Sequence, residues 1–95
     1  MTTASDLVFG RMRQDAGLRI LLVEDDPNDA ELVQACLAEA LRAGAELLHA
    51  SSLAEALERL QSQRIDITVL DLDLPDSAGF ATLERAGAAA RGPVI

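Results

Sequence analysis

The apolar run Ile67 to Leu70, ITVL, stops abruptly at Asp71, and Pro75, Asp76 and Gly79 follow closely. A short β-branched run bounded by Pro and Gly reads as a strand buried on both faces, the kind that parallel sheets contain. Such a strand needs covering helices and a parallel neighbour reached by a crossover. Its carboxyl end is where open α/β sheets bind ligands. A carboxylate placed there stands on a rigid element and faces a crevice. Asp also begins turns on its own account, so this stretch alone leaves both readings open.

The flanking sequence repeats the theme. Arg19 to Val23, RILLV, is a second apolar run, and it leads straight into Glu24, Asp25 and Asp26. Asp26 is a predicted N-cap, Pro27 suits the first helical position, and Asp29 favours the positive end of the helix dipole. One helix is expected from Pro27 to Ala43, with Leu32, Val33, Cys36, Leu37, Ala40 and Leu41 on its buried stripe and Gly44 at its end. Ala45 to Ala50 reads as a second strand. His49 near its end reads as a surface or core-edge residue, since no other metal-binding side chain accompanies it in sequence. Ser52 and Glu55 form a predicted capping box for a helix whose buried stripe is Leu53, Ala56, Leu57 and Leu60. Phe80 and Leu83 open a third helix that runs into AGAAARG, and Pro93 to Ile95 read as the start of a fourth strand.

Strands alternating with helices imply right-handed crossovers and helices on both faces of a parallel sheet. The expected fold is therefore an α/β, doubly wound parallel sheet over residues 19–95. Residues 1–18 are mixed: Leu7, Val8 and Met12 could line a short helix, which Gly10 and Gly17 weaken. They read as a loose arm.

At 95 residues, the chain has room for one small domain, and with two Phe and neither Trp nor Tyr its core must be aliphatic. A formal charge of −8 argues against nucleic acid and against an anionic membrane surface as partners. A small cation is the easier partner, although solubility accounts for much of the charge. Cys36 stands alone, so no internal disulfide can form, and its place on the apolar stripe predicts a buried, inert thiol. With no apolar run of spanning length and no signal-peptide core, the expected location is cytoplasmic.

Both apolar strands end in acids: Glu24 and Asp25 after the first, Asp71 after the third. If those strands are neighbours, the acids converge. Two carboxylates about 4 Å apart repel by about 4 kcal/mol at an effective dielectric of 20. Either one acid keeps its proton or a hard divalent cation lies among them, and Mg²⁺ fits an all-oxygen set best. Such an ion would neutralise an incoming phosphoryl group, and an Asp is a competent nucleophile toward phosphorus.

Three segments together carry a resemblance: LLVEDDP after Arg19-Ile20, the capped ASSLAEALERL helix, and IDITVLDLDLPDSAG. They make the chain similar to the receiver domains of bacterial two-component response regulators. The resemblance implies a flavodoxin-like (CheY-like) sheet with the second strand outermost, then the first, third and fourth. It implies that Asp71 is the phosphoacceptor, Asp25 a direct Mg²⁺ ligand, Glu24 an acid acting on the metal mainly through water, and the backbone carbonyl of Asp73 a further ligand. The side chain of Asp73 would face the site mouth, with Pro75 and Gly79 shaping the loop. The implied partner is a sensor histidine kinase or phosphotransfer protein, and no turnover of an external substrate is expected.

In the family, a Ser or Thr that reports phosphorylation closes the fourth strand, and after a further helix a Lys that pairs with the phosphoryl group ends a fifth strand. This sequence has no Lys, and Thr68 and Thr82 stand at the wrong places to substitute for that Ser or Thr. The sheet is thus expected to be incomplete at its C-terminus, in a piece of a longer protein or in a genuinely short one. Two other functions compete with phosphoryl acceptance. A degenerate receiver would serve only for dimerisation or interaction. An aspartyl-phosphate hydrolase of the haloacid-dehalogenase type would also carry Asp71-Leu72-Asp73, but Pro75 departs from that family's pattern and Glu24 and Asp25 go unexplained. An open sheet edge after Ile95 predicts self-association as a dimer, through the edge or by segment exchange. Light scattering coupled to size exclusion should find a dimer, and a sharp monomer would count against it.

Overall fold

The computed structural model describes residues 17–95, so the arm read over residues 1–18 lies outside the described residues apart from Gly17 and Leu18. Strand β1 (Arg19–Val23) is buried from Ile20 to Val23. It can be so because it lies between two parallel neighbours, β2 (Glu46–Ala50) and β3 (Ile67–Leu70), in the order β2-β1-β3. The register sets Val23 beside both Ala50 and Leu70. Pro93 to Ile95 continue the sheet on the far side of β3: Thr68 pairs in parallel with Val94, and Leu70 N donates to Ile95 O at 2.8 Å. The observed order is the one that the resemblance implies.

Because the chain moves outward from β1 to β2 and then back across to β3, right-handed crossovers place their helices on opposite faces. Alternate residues of β1 serve the two faces. Leu21 and Val23 pack with Ala50, Leu53, Ala56, Leu60, Ile65, Leu74 and Ala86, under helices α3 (Leu53–Ser62) and α4 (Phe80–Ala89). Ile20 packs with Ala40 and with the half-buried Leu18, Leu37, Leu47, Ile67 and Val69. Each fully buried Leu or Val of β1 contributes about 1.5–3 kcal/mol of transfer free energy.

The helix expected over Pro27 to Ala43 is divided at Leu37 into α1 (Pro27–Cys36) and α2 (Ala38–Arg42). At the division, Leu37 N is shared between Val33 O at 3.0 Å and Gln34 O at 3.1 Å. The turn tightens there, and hydrogen bonding continues across it, since Leu41 N reaches Leu37 O at 3.0 Å. The predicted caps are present. Asp26 accepts from Asn28 N at 2.8 Å. Gly44, at φ +106°, closes α2 with Gly44 N to Leu41 O and Ala45 N to Ala40 O, a Schellman pair that needs the left-handed backbone.

Two expectations fail on this helical stretch. Cys36 is exposed, not buried, and Leu32 is 65% exposed. The contact line runs instead through buried Ala30 and Ala40, with Val33, Leu37 and Leu41 half-buried. Apolar residues cover a wider arc than the strip that touches the sheet, and the small Ala side chains let one side of that arc approach closest. The capping box is also only half formed. Ser52 Oγ accepts from Glu55 N at 3.1 Å, but Glu55 reaches back to Ser51 N at 3.1 Å instead of to the Ser52 amide.

An unforeseen antiparallel pair follows β3: β4 (Asp73–Leu74) and β5 (Ser77–Ala78), with Asp73 opposite Ala78. At its tip, Asp76 reaches across to α3. Leu53 N donates to its Oδ1 at 2.7 Å and Ala54 N to its Oδ2 at 2.8 Å. These two amides, helped by Arg85, hold the Asp76 carboxyl below its ordinary value of 3.8. The Ser51 amide, with Ser51 Oγ, Arg59 and His49 assisting, likewise holds Glu55 below 4.5. A lowered folded-state value means that the stabilisation is complete above the ordinary value and is lost as pH falls through the lowered one. Glu24 acts with the opposite sign, because its value is raised. Chemical unfolding followed from about pH 5 to about pH 2 should therefore show a shallower acid loss of stability in Asp76→Asn than in the parent chain. Parallel acid limbs would contradict the cap.

Candidate functional site

Strand order reverses direction at β1, with β2 on one side and β3 on the other. At such a switch point the loops leaving neighbouring strands part to opposite faces, and a crevice opens at the carboxyl ends. The register fixes what lines it. Asp71 N donates to Val23 O at 2.9 Å, and Glu24 N donates to Ala50 O at 3.0 Å, so both strands deliver an acid at the same level. Among the described residues, Glu24, Asp25 and Asp71 form a group in which one carboxylate oxygen from each lies within 4.8 Å of the other two.

Their environments differ. Glu24 is buried at 8% exposure, Asp71 is half-buried and Asp25 is exposed. Burial pushes the Glu24 carboxyl above its ordinary 4.5, and the Asp71 and Asp29 charges push the same way, while the Asp26 amide opposes them. That amide donates to Glu24 Oε1 at 3.1 Å, which aims the side chain. The same Asp26 caps α1, so helix start and acidic crevice are joined at one residue. His49 secures the other side: its Nε2–H donates to the Glu24 carbonyl at 2.7 Å. His49 is exposed, as its reading as a surface residue expected, and serves the loop backbone.

Asp73 reaches the site through its backbone. Its amide donates to Asp71 Oδ1 at 3.1 Å, and its side chain is exposed. Pro75 occupies the turn of the β4–β5 pair. Gly79 N donates to Leu72 O at 2.7 Å, and the Gly79 backbone, at φ +66° and ψ −147°, is open in practice only to glycine. The loop is tied down again by Ser77 Oγ and Thr82 Oγ1, 2.7 Å apart, which satisfies the fully buried Thr82 hydroxyl.

The four residues read from sequence as site residues, Glu24, Asp25, Asp71 and Asp73, thus meet at one end of the sheet. The donor set is all oxygen, charged and partly desolvated. It suits a hard cation such as Mg²⁺. Sequence reasoning missed His49, Ser77 and Asp76 as supports. Each acts on a residue distant in sequence or across a turn, and no local spacing signals such a bond.

No helix among the described residues is long and apolar enough to cross a membrane. The family model for the response regulator receiver domain matches residues 20–95. Among curated proteins, the chain is 33% identical over 81 residues to the two-component response regulator ARR11 of Arabidopsis thaliana, covering 83% of this chain and 15% of that protein. The chain thus spans a small fraction of the length of the curated relatives it matches. Among solved structures, the response regulator MaeR bound to beryllium trifluoride superposes with a TM-score of 0.70 at 26% identity, covering 82% of this chain and 64% of that one. The receiver domain of the sensor histidine kinase PA1611 from Pseudomonas aeruginosa PAO1, with a magnesium ion in its active-site cleft, gives 0.67 at 28% identity, covering 83% and 65%. With sequence, sheet order and neighbours in agreement, the chain belongs to the response regulator receiver domain family.

Proposed function

We propose that Asp71 accepts a phosphoryl group from the phosphohistidine of a histidine kinase or phosphotransfer protein, in a reaction that needs Mg²⁺. The observation that carries this reading is the convergence of Glu24, Asp25 and Asp71 within 4.8 Å at the sheet's carboxyl edge. The magnesium in the PA1611 receiver and the Mg²⁺–beryllium fluoride complex of the Thermotoga maritima regulator TrrA support it by analogy.

In this reading, an ionised Asp71 oxygen attacks phosphorus and forms the acyl phosphate. The phosphorus–nitrogen bond breaks, and the imidazole nitrogen keeps the electron pair. Asp71 gives up no proton, so no general base is required. Its other needs are aim and charge balance. The Asp73 amide on Asp71 Oδ1 restrains the carboxylate plane. Glu24 and Asp25 would hold the ion together with Asp71 and the Asp73 carbonyl. When bound, Mg²⁺ supplies positive charge against the entering phosphoryl oxygens. The domain turns over no external ester, because the phosphoryl group ends on its own side chain.

Acetyl phosphate replaces the kinase in a direct test. With Mg²⁺ present, intact-mass measurement should show the gain of one phosphoryl group, lost in Asp71→Asn and on chelation. Absence of the gain would leave an interaction module, and hydrolysis of external phosphate esters would favour the hydrolase reading.

The cation has a thermodynamic signature of its own. A ligand at ten times its Kd stabilises the folded state by about 1.4 kcal/mol, so Mg²⁺ should raise Tm by several degrees. Asp25→Ala should abolish that rise. An unchanged rise in this variant would place the ion elsewhere.

A further inference from the structure

The bond pattern around the β4–β5 pair singles out a residue that stands outside the acidic crevice. Asp76 is exposed and three positions beyond Asp73, yet its carboxylate takes both free amides at the start of α3, Leu53 N at 2.7 Å and Ala54 N at 2.8 Å. The helix already has its own cap in Ser52, which takes Glu55 N. Asp76 therefore takes two first-turn amides that the helix's own cap leaves over, and it ties a separate segment to that helix.

That segment carries the site. Asp73 opens the pair and donates to Asp71 Oδ1, and Asp73 stands opposite Ala78 in the ladder. Leu74 is buried in the core beside Leu53 and Ala56 of α3. At its return end, the segment is closed by Gly79 N on Leu72 O and by Ser77 on Thr82. Two-residue strands hold little register by themselves. Among the described residues, the hydrogen bonds that fasten their tip to α3 are those of Asp76.

We propose that Asp76 is a positioning residue for the acidic site: by clamping the tip of the β4–β5 pair onto the N-terminus of α3, it holds the Asp73 backbone against Asp71. The inference rests on the reading of Asp71 as phosphoacceptor for its functional consequence, and on geometry alone for the clamp. A carboxylate matches two adjacent amides with two oxygens, and no neutral side chain of that length does so. Asp76→Asn keeps one acceptor oxygen and loses the other.

The test compares two ways of weakening the same helix start. Asp76→Ala removes the clamp, and Ser52→Ala removes the helix's own cap but leaves the clamp in place. Amide hydrogen exchange reads the clamp directly. In Asp76→Ala, the amides of Asp73 and Gly79 should exchange about tenfold faster or more than in the parent, with Asp76→Asn in between. Ser52→Ala should leave them unchanged. Phosphorylation by acetyl phosphate with Mg²⁺ should slow by about tenfold or more in Asp76→Ala and stay near the parent rate in Ser52→Ala. Equal exchange at Asp73 and Gly79 in Asp76→Ala and Ser52→Ala overturns the proposal, and so does a parent-like phosphorylation rate in Asp76→Ala. If the parent chain itself gains no phosphoryl group, the functional reading falls while the exchange comparison still decides the clamp. Should Asp76→Ala fail to fold, the comparison of Asp76→Asn with Ser52→Ala decides the clamp by the same two readouts.

Discussion

Parallel pairing of β1 with β3 is the constraint on which the acidic crevice depends. The ladder sets Val23 beside Leu70, so the next residue of each strand, Glu24 and Asp71, leaves the sheet at the same height. Neither acid chooses this arrangement. Like charges at such separations repel by several kcal/mol at protein-like dielectric, and the raised Glu24 value reflects burial first and that repulsion second. What holds them is the apolar surface of Ile20 to Val23, sandwiched between two strands and two helix layers. Core packing supplies the free energy that the site's charges consume. A cation in the crevice would return part of it.

A second tier of bonds turns that convergence into a shaped site. Asp26 caps α1 and also donates its amide to Glu24. His49, at the end of the outer strand, donates to the Glu24 carbonyl. Asp76 and Ser77 bind the loop after Asp71 to α3 and α4. In each case a polar side chain satisfies backbone or buried groups that loop and helix ends leave open. The supports are therefore those that hydrogen-bond accounting demands, and they also aim the acids. Loops carry the chemistry here because the scaffold beneath them is rigid.

Much of this was readable from the residues alone. RILLV and ITVL announced parallel strands through their short, largely apolar runs, RILLV buried from Ile20 to Val23 and ITVL half-buried except at Thr68, and their acidic ends announced a crevice. Asp26, Pro27, Gly44 and Ser52 announced helix ends through chemistry that acts within a few residues. The reading failed where local periodicity was asked to fix an orientation. The expected stripe joined Leu32 and Cys36 to Val33, Leu37, Ala40 and Leu41, and only the position of the sheet shows that its contact line leaves the first two outside. It failed likewise at Glu55, whose carboxylate took the Ser51 amide in place of the Ser52 amide that a capping box uses.

The amino-acid sequence by itself determined the order of elements, the strands' need for cover on both faces, and the presence of an acid at the end of each of two strands. Those are properties of residues close along the chain, where periodicity and caps act. Tertiary structure alone decided that α1 turns Ala30 and not Cys36 to the sheet, that His49 reaches the Glu24 carbonyl, and that Asp76 reaches α3. Each depends on groups distant in sequence meeting in space, and such meetings are selected by packing and backbone pairing that no local pattern encodes.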